Sequence, residues 1–326
     1  MTRRGPILLA RYLALAWCGL VIYGSLHPFS GWRDTGISPF AFLDAGWPRY
    51  WTAFDLAANV AVYVPLGFLL TLALRDLPGR FTAPVLATLF GAGLSLGLEA
   101  VQSWLPARVP SNVDFACNAS GALLGALLAQ WSGPRVFALF ASWEHRLVAP
   151  VPHAELGLTL LGLWLLVPLS PEILLFGAGD LRQALGLGGA APFAAESFAV
   201  IEASVTALNA IAVGLVARML CRRTLQAYGV VAALLLLGLL VRTLAAAVLD
   251  APGQAFAWLT PGAELGLLAA AVILAVTLPL PLPARTVIAA LALMAGTVLV
   301  NLAPPNPYST AALATWRQGH FLNFNG

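Results

Sequence analysis

The chain has 326 residues, of which 60% are hydrophobic and 10% are charged, and its mean hydropathy is +0.85. This composition lies outside the range of soluble globular proteins and indicates that the lipid bilayer surrounds most of the chain. The 17 basic residues are all arginine and are scattered through the loops, so the net charge of +3 does not indicate a nucleic-acid partner.

The apolar runs of the sequence are long enough to cross a membrane several times. The hydrocarbon core of a bilayer is about 30 Å thick, so a helix needs about 20 apolar residues to span it, and the chain has room for about nine crossings. We therefore predict an all-α fold, a polytopic transmembrane helix bundle.

The first four predicted crossings form a membrane unit that covers residues 1–131. The first apolar run is too long for a cleaved signal peptide and lacks a small-residue cleavage site. Residues 27–52 follow it and are rich in aromatic side chains, which favours a loop or short helix in the headgroup region. The four crossings are predicted at 7–26, 54–74, 81–105 and 114–131.

A polar stretch at 132–155 is predicted to be a cytoplasmic connector with an amphipathic helix, and it leads to a second membrane unit, residues 156–302. The loop at 177–197 has room for a short interfacial helix, and residues 303–326 are predicted to be an extracytoplasmic tail. That tail either docks on the outer surface or is the truncated start of a tenth crossing. The crossings of the second unit are predicted at 156–176, 198–220, 228–249, 261–282 and 286–302.

The distribution of arginine predicts the orientation of the chain. With a cytoplasmic N-terminus, eleven arginines fall on the cytoplasmic side and five on the other side. Cytoplasmic loops of membrane proteins carry an excess of arginine, so this orientation is favoured. We predict a multi-pass protein of the cytoplasmic (inner) membrane.

Three crossings of the first unit carry paired polar residues at the ends that face outward. Members of a pair are three or four positions apart and therefore share one face of their helix. The pairs are Asp55 with Asn59, Glu99 with Gln102, and Asp114 with Asn118, and Arg108 and Ser111 lie in the loop before the last pair. We predict that these eight residues meet in one binding site at the outer surface.

Two structural interpretations compete with a binding site. Asp55 and Asp114 stand where helix N-caps are expected, and Arg108 is placed to neutralise Glu99 or Asp114. The side-chain amides of the three pairs form a second polar layer. This layer either holds the helices together by hydrogen bonds or forms the floor of a pocket. A hard cation held by the three carboxylates is chemically feasible but less favoured.

Other residues of the first unit have structural interpretations. Pro65 removes one backbone N–H from the second crossing and predicts a kink there. The pairs Gly93 with Gly97 and Gly121 with Gly125 are four positions apart and favour close approach of neighbouring helices.

The second unit has few charged residues in its crossings. Arg242 lies in the middle of one crossing, where an isolated charge is unfavourable, so we predict an ion pair with Glu202 or Glu264. Asn209 lies seven positions after Glu202 on the same helix. A proton or substrate path of a transporter is the alternative interpretation.

Catalytic and metal-binding motifs are missing from the sequence. It contains no hydrolase elbow, zinc motif, phosphate-binding loop or dinucleotide fingerprint, so we expect no metal and no cofactor. Cys18, Cys117 and Cys221 lie in or beside three separate helices without CxxC spacing and are predicted to be buried small residues.

The polar pattern of residues 11–131 resembles the VanZ-like family, which takes its name from a member associated with teicoplanin resistance. The matching pattern is Asp55-x3-Asn59-x5-Pro65-Leu66-Gly67, then Glu99-x2-Gln102, then Arg108-x5-Asp114-x3-Asn118-x2-Gly121-x3-Gly125. The resemblance implies a bacterial cell-envelope membrane protein with its site at the outer surface and a link to glycopeptide antibiotic tolerance. It implies no particular reaction.

Three functions are compatible with these features. The favoured one is a non-enzymatic protein that binds an amphiphile at the outer leaflet, either a membrane lipid or a lipid-linked envelope precursor. The second is a membrane enzyme that uses paired carboxylates for acid/base chemistry on an envelope lipid. The third is a transporter, which is disfavoured because the two halves show no internal repeat. The oligomeric state does not follow from the sequence.

Overall fold

The computed structural model describes residues 5–27, 29–47, 51–170, 173–181, 194–249, 253 and 255–304. The secondary structure of these residues is α-helix with two short 3₁₀ turns and no strand, so the predicted all-α fold is confirmed. The helices are α1 Gly5–Leu26, α2 Ala53–Ala73, α3 Thr82–Gln102, α4 Asn112–Leu147, α5 Ala154–Trp164, α6 Ala195–Leu220, α7 Thr224–Leu249, α8 Pro261–Thr277 and α9 Leu282–Leu302.

Seven helices in the described ranges are long and apolar enough to cross a membrane, namely α1 to α4, α6, α7 and α9. The other two apolar helices are shorter, since α5 has 11 residues and α8 has 17. The protein is therefore a polytopic membrane protein. The predicted number of about nine crossings stays a prediction, because it depends on these two shorter helices.

The distribution of side chains on α4 suits a lipid environment. Ala122 and Ala126 are fully buried, whereas Leu123 and Leu127 on the opposite face are about half exposed. Small residues inside and large apolar residues outside are typical of helices that pack in a bilayer, because lipid solvates leucine as well as a protein core does.

The chain divides into two compact units, and the division falls between Trp143 and Glu144. It lies inside α4, which continues through Pro134 to Leu147. The fourth crossing was predicted to end at residue 131, whereas α4 continues to Leu147, within the predicted connector. Pro134 does not end the helix, because one proline removes a single backbone hydrogen bond and leaves the flanking turns intact. The cytoplasmic connector itself stays a prediction.

In the first unit, α2 is the central helix. Its buried Tyr63 and Leu66 pack in one cluster with Val21 of α1, Leu98 of α3 and Ala122 of α4. The helix is continuous through Pro65. This arrangement places the first turns of α2 and α4 and the last turn of α3 at the same end of the unit.

Glycines let α2 and α4 approach each other closely. A Cβ on Gly67 would collide with the carbonyl oxygen of Ala122, and one on Gly125 would collide with that of Val64. Gly121 lies equally close to the backbone of α2. The prediction of close packing is wrong for Gly93 and Gly97, because both face open space.

In the second unit, α6 is the central helix and packs against α8 and α9. Gly262 and Gly266 of α8 lie directly against α6, where an added Cβ would meet the Glu202 side chain and the Ala203 carbonyl oxygen. On α9, Gly296 lies against the Asn209 side chain.

The predicted fifth crossing at 156–176 is broken in the structure. Helix α5 ends at Trp164, a 3₁₀ turn covers Val167–Leu169, and the following described residues to 181 are not helical. The cause lies in the sequence, because Pro168 has no N–H to donate to the carbonyl of Trp164 four residues earlier. Most of the predicted interfacial loop at 177–197 and of the tail at 303–326 lies outside the described residues.

Candidate functional site

The acidic residue of α2 belongs to a capping box. Thr52 is the N-cap, and its hydroxyl oxygen accepts a hydrogen bond from the Asp55 amide at 3.1 Å. The Asp55 carboxylate in turn accepts hydrogen bonds from the Thr52 amide at 2.9 Å and from its hydroxyl at 2.7 Å. The interpretation of Asp55 as the N-cap itself is therefore wrong. Asp55 lies at the third helical position, where the helix dipole still favours a carboxylate.

The acidic residue of α3 is buried and reaches the start of α4. Only 4% of Glu99 is exposed, and its carboxylate accepts a hydrogen bond of 2.8 Å from the Ser111 amide. The Ser111 hydroxyl oxygen accepts hydrogen bonds from the amides of Val113 and Asp114 at 3.2 and 3.3 Å. Ser111 therefore caps α4, and the interpretation of Asp114 as the N-cap is wrong.

The three carboxylates come together at one end of the first unit. Asp114 interacts electrostatically with both Asp55 and Glu99, and the Asn59 side-chain amide lies near the Asp114 carboxylate and favours its charged form. The structure thus joins polar residues from three helices into one group. We call Asp55, Glu99 and Asp114 the acidic cluster.

A layer of neutral polar groups lies beneath the acidic cluster. Asn118 is 6% exposed and donates a hydrogen bond of 2.9 Å to the hydroxyl oxygen of Ser95, which is fully buried. The Tyr63 side chain lies near Ser95 as well. The Asn118 amide oxygen has no hydrogen-bond partner among the described residues. A buried oxygen of this kind is normally satisfied, so it marks a place where a donor is expected.

Sequence reasoning missed Ser95 and Tyr63. A signal for them exists, because Ser95 lies four positions before Glu99 and Tyr63 lies four positions after Asn59. Both residues therefore extend the polar stripes that carry the predicted pairs.

Two predicted site residues bind α1 instead of the acidic cluster. The Gln102 side-chain amide donates a hydrogen bond of 3.0 Å to the carbonyl of Ser25. The Arg108 guanidinium donates to the carbonyls of Gly24 at 2.8 Å and His27 at 3.0 Å. These carbonyls lie at the C-terminus of α1, where no helical N–H follows to bind them. Both residues therefore cap α1, and Arg108 does not take the predicted role of neutralising Glu99 or Asp114.

The loop after α1 is attached over the same end of the unit. The Arg33 amide donates a hydrogen bond of 2.9 Å to the Trp104 carbonyl, and the Asn112 side chain donates one of 2.8 Å to the Ala45 carbonyl. The loop is thereby held beside the start of α4.

An open groove of about 300 Å³ runs along the surface where α2 meets α4. Leu56 and Val113 line it, each next in sequence to a member of the acidic cluster. Its lining is mostly apolar and consists of Trp47, Leu56, Val60, Asn112, Val113, Ala116, Cys117 and Ser120. The acidic cluster adjoins this groove and is not part of its lining.

No basic side chain pairs with the acidic cluster in the described part of the chain. Arg11 and Asp76 form an ion pair at 3.7 Å, and both side chains are more than half exposed. Within the same residues, no three histidine, cysteine or acidic side chains are grouped closely enough to hold a metal ion. Asp114 is near enough to Asp55 and to Glu99 for its charge to be repelled by theirs, so groups that donate hydrogen bonds are the partners that these carboxylates favour.

In the second unit, Arg242 binds the backbone of the broken crossing. Its guanidinium donates hydrogen bonds to the carbonyls of Ser170 and Ile173, the latter at 2.7 Å. It also interacts electrostatically with Glu202, whose carboxylate accepts a hydrogen bond from the Thr260 hydroxyl. Non-helical backbone at membrane depth needs such partners, because lipid offers none. Glu264, the other predicted partner, is exposed in the first turn of α8.

These features define a polytopic α-helical membrane protein with a polar cluster at one end of its N-terminal unit. The model of the VanZ/LLP1 family matches residues 11–133, which supports the VanZ-like assignment that the polar pattern of this part of the chain predicted. No curated protein and no solved structure matches the chain.

Proposed function

We propose that the acidic cluster, together with Asn59 and Asn118, binds the polar headgroup of a cell-envelope amphiphile at the outer leaflet of the cytoplasmic membrane. The observation that carries this proposal is the gathering of three carboxylates without a described cationic partner. They lie above a buried amide oxygen that also has no partner among the described residues. All of these groups accept hydrogen bonds, so a ligand rich in donors complements them.

The chemistry of the cluster selects the headgroup. Sugar hydroxyls and ammonium groups donate hydrogen bonds to carboxylates, and an ammonium group also offsets their negative charge. A phosphate placed directly on the cluster would be repelled. The part of the ligand that touches Asp114 and Asn118 is therefore a sugar or an amine.

The groove between α2 and α4 supports an amphiphile over a soluble sugar. It is mainly apolar and open at the surface, and two of its lining residues, Leu56 and Val113, are next in sequence to Asp55 and Asp114. An acyl or prenyl chain lying in it would remain in contact with the bilayer. Trp47 at the groove suits the membrane interface, where tryptophan side chains are enriched.

The match of residues 11–133 to the VanZ/LLP1 family supports a lipid-linked cell-wall precursor or a lipoglycopeptide as the amphiphile. Both classes combine sugars or amines with a long apolar chain. Binding of either one would connect the protein to glycopeptide antibiotic tolerance.

The proposal is tested by the lipids that purify with the protein. The full chain is extracted in mild detergent, and its bound lipids are compared by mass spectrometry with those of Asp114→Asn. We expect one species to be enriched with the parent and reduced about tenfold in the variant, since a hydrogen bond to a charged group is lost. Asp44→Asn is the matched control, because it removes a carboxylate that is exposed in the loop before α2. Equal lipid content in parent and Asp114→Asn would contradict the proposal.

A further inference from the structure

Two arginines lie together at the end of the second unit where α6 finishes and α9 begins. Arg218 is in the last turn of α6 and Arg285 is in the first turn of α9. Their guanidinium groups interact electrostatically. The Thr286 hydroxyl lies 3.9 Å from the sulfur of Met219, so the neighbouring residues of the two helices are also in contact.

The Arg218 side chain is fixed by its own hydrogen bonds. It donates to the Leu278 carbonyl at 3.0 Å, to the Cys221 carbonyl at 3.2 Å and to the Thr224 hydroxyl at 2.8 Å. These contacts join α6 to the end of α8 and to the start of α7. They hold a positive charge at a defined position beside Arg285.

Arg285 is buried, and its guanidinium is only partly satisfied. Only 8% of the residue is exposed, and its Nε and Nη1 atoms have no hydrogen-bond partner among the described residues. Leaving donors of a buried cation unmatched is strongly unfavourable, and a second cation nearby adds to the penalty. An acceptor that carries negative charge would remove both penalties.

The long helices around the two arginines do not provide that charge. Residues 203–249 and 265–304 contain no aspartate or glutamate, so the long helices that form this end bring no acid to it. The segment from the end of α4 to the start of α5 contributes Glu144 and Glu155. Two further positive charges offset these two acids, because Arg222 and Arg223 are both exposed and close to Arg218 in sequence.

We infer that Arg285 and Arg218 form a binding site for a phosphate group at this end of the second unit. The phosphate comes either from the headgroup of an anionic phospholipid or from free inorganic phosphate. Guanidinium groups suit phosphate because they offer several donors and remain charged. The N-terminus of α9 adds its positive dipole to the same place. The site is separate from the acidic cluster, whose charge has the opposite sign.

The inference is tested by ligand-dependent thermal stability of the full chain in phosphate-free detergent. A ligand that binds the folded protein raises its melting temperature. The probes are phosphatidylglycerol, the zwitterionic phosphatidylcholine, and inorganic phosphate. We expect phosphatidylglycerol to raise the melting temperature of the parent if the phosphate belongs to a lipid, and inorganic phosphate to do so if it is free. Phosphatidylcholine is expected to have little effect in both cases.

The variant Arg285→Gln removes the buried charge, and Arg223→Gln removes an exposed one from the same end of the unit. We expect native mass spectrometry to show about tenfold weaker binding of the active probe to Arg285→Gln and unchanged binding to Arg223→Gln. Equal binding to the parent and to Arg285→Gln would overturn the inference. If Arg285→Gln does not fold, the thermal stability of the parent protein tests the inference by itself. A parent melting temperature that responds to neither phosphatidylglycerol nor inorganic phosphate would also overturn the inference.

Discussion

The Glu99 carboxylate accepts a hydrogen bond of 2.8 Å from the backbone amide of Ser111. This contact joins the last turn of α3 to the residue that caps α4. It gives a buried acid a structural partner and satisfies an amide in the loop before α4. It also fixes the distance between Glu99 and Asp114, and with it part of the geometry of the acidic cluster.

Substitutions of Glu99 separate its hydrogen bond from its charge. Glu99→Gln keeps an oxygen that can accept the Ser111 N–H and removes a charge that is repelled by Asp114, so we expect unchanged or higher thermal stability. Glu99→Ala removes the acceptor and leaves the amide unsatisfied, which should destabilise the protein by about 1 to 3 kcal/mol. Melting temperatures in detergent measure both effects. Equal melting temperatures for the two variants would show that the hydrogen bond does not stabilise the fold.

Glycine substitutions test the close contact between α2 and α4. We expect Gly125→Ala to destabilise the protein by about 1 to 3 kcal/mol, because the added methyl group meets the Val64 carbonyl and forces the helices apart. Gly97→Ala is the matched control, since Gly97 faces open space and alanine favours a helix by up to about 1 kcal/mol. Thermal unfolding distinguishes the two, and a larger loss in Gly97→Ala would refute the described packing.

The role of Arg108 as a cap predicts a local effect on α1. Arg108→Ala removes the donors that bind the carbonyls of Gly24 and His27, so the last turn of α1 should open more often. Hydrogen exchange of a peptide that covers residues 20–27 should therefore become faster. Arg33→Ala, which removes an exposed arginine from the adjacent loop, should leave this exchange unchanged. Unchanged exchange in Arg108→Ala would argue against the capping role.

A double-mutant cycle tests the coupling of Arg242 with Glu202. Arg242→Gln should destabilise the protein by roughly 3 to 5 kcal/mol, because it weakens binding of two carbonyls and leaves the Glu202 charge without its electrostatic partner. Adding Glu202→Gln should restore part of that loss, with a coupling energy of about 0.5 to 3 kcal/mol. Thermal or denaturant unfolding of the four proteins gives the coupling, and strictly additive losses would contradict it.

Most helix positions followed from hydrophobicity, and the fourth and fifth crossings are exceptions. The second crossing was predicted at 54–74 and is α2 Ala53–Ala73, because an apolar run of membrane length has no other way to satisfy its backbone in lipid. The fifth crossing was predicted as one helix and is broken. Apolar character alone does not reveal the break, whereas the missing N–H of Pro168 explains it.

The site was only partly predictable from the sequence. The spacing of Asp55, Asn59, Asp114 and Asn118 identified the helix faces that meet, because residues four positions apart share a face. The partners of Gln102 and Arg108 were not predictable, since they are backbone carbonyls of α1 that any residue type provides. Spacing also gave the same prediction for Gly97 as for Gly125, although only the packing of the helices decides which of the two is in close contact.

The central claim is that a donor-rich headgroup occupies the acidic cluster. An electron cryo-microscopy map of the full chain, purified with its native lipids, tests this most directly. We expect headgroup density within about 3 Å of both the Asp114 carboxylate and the Asn118 amide oxygen, with a chain continuing along the groove between α2 and α4. A map in which Asp114 and Asn118 bind only each other, the protein or water, with the lipids elsewhere, would contradict the claim.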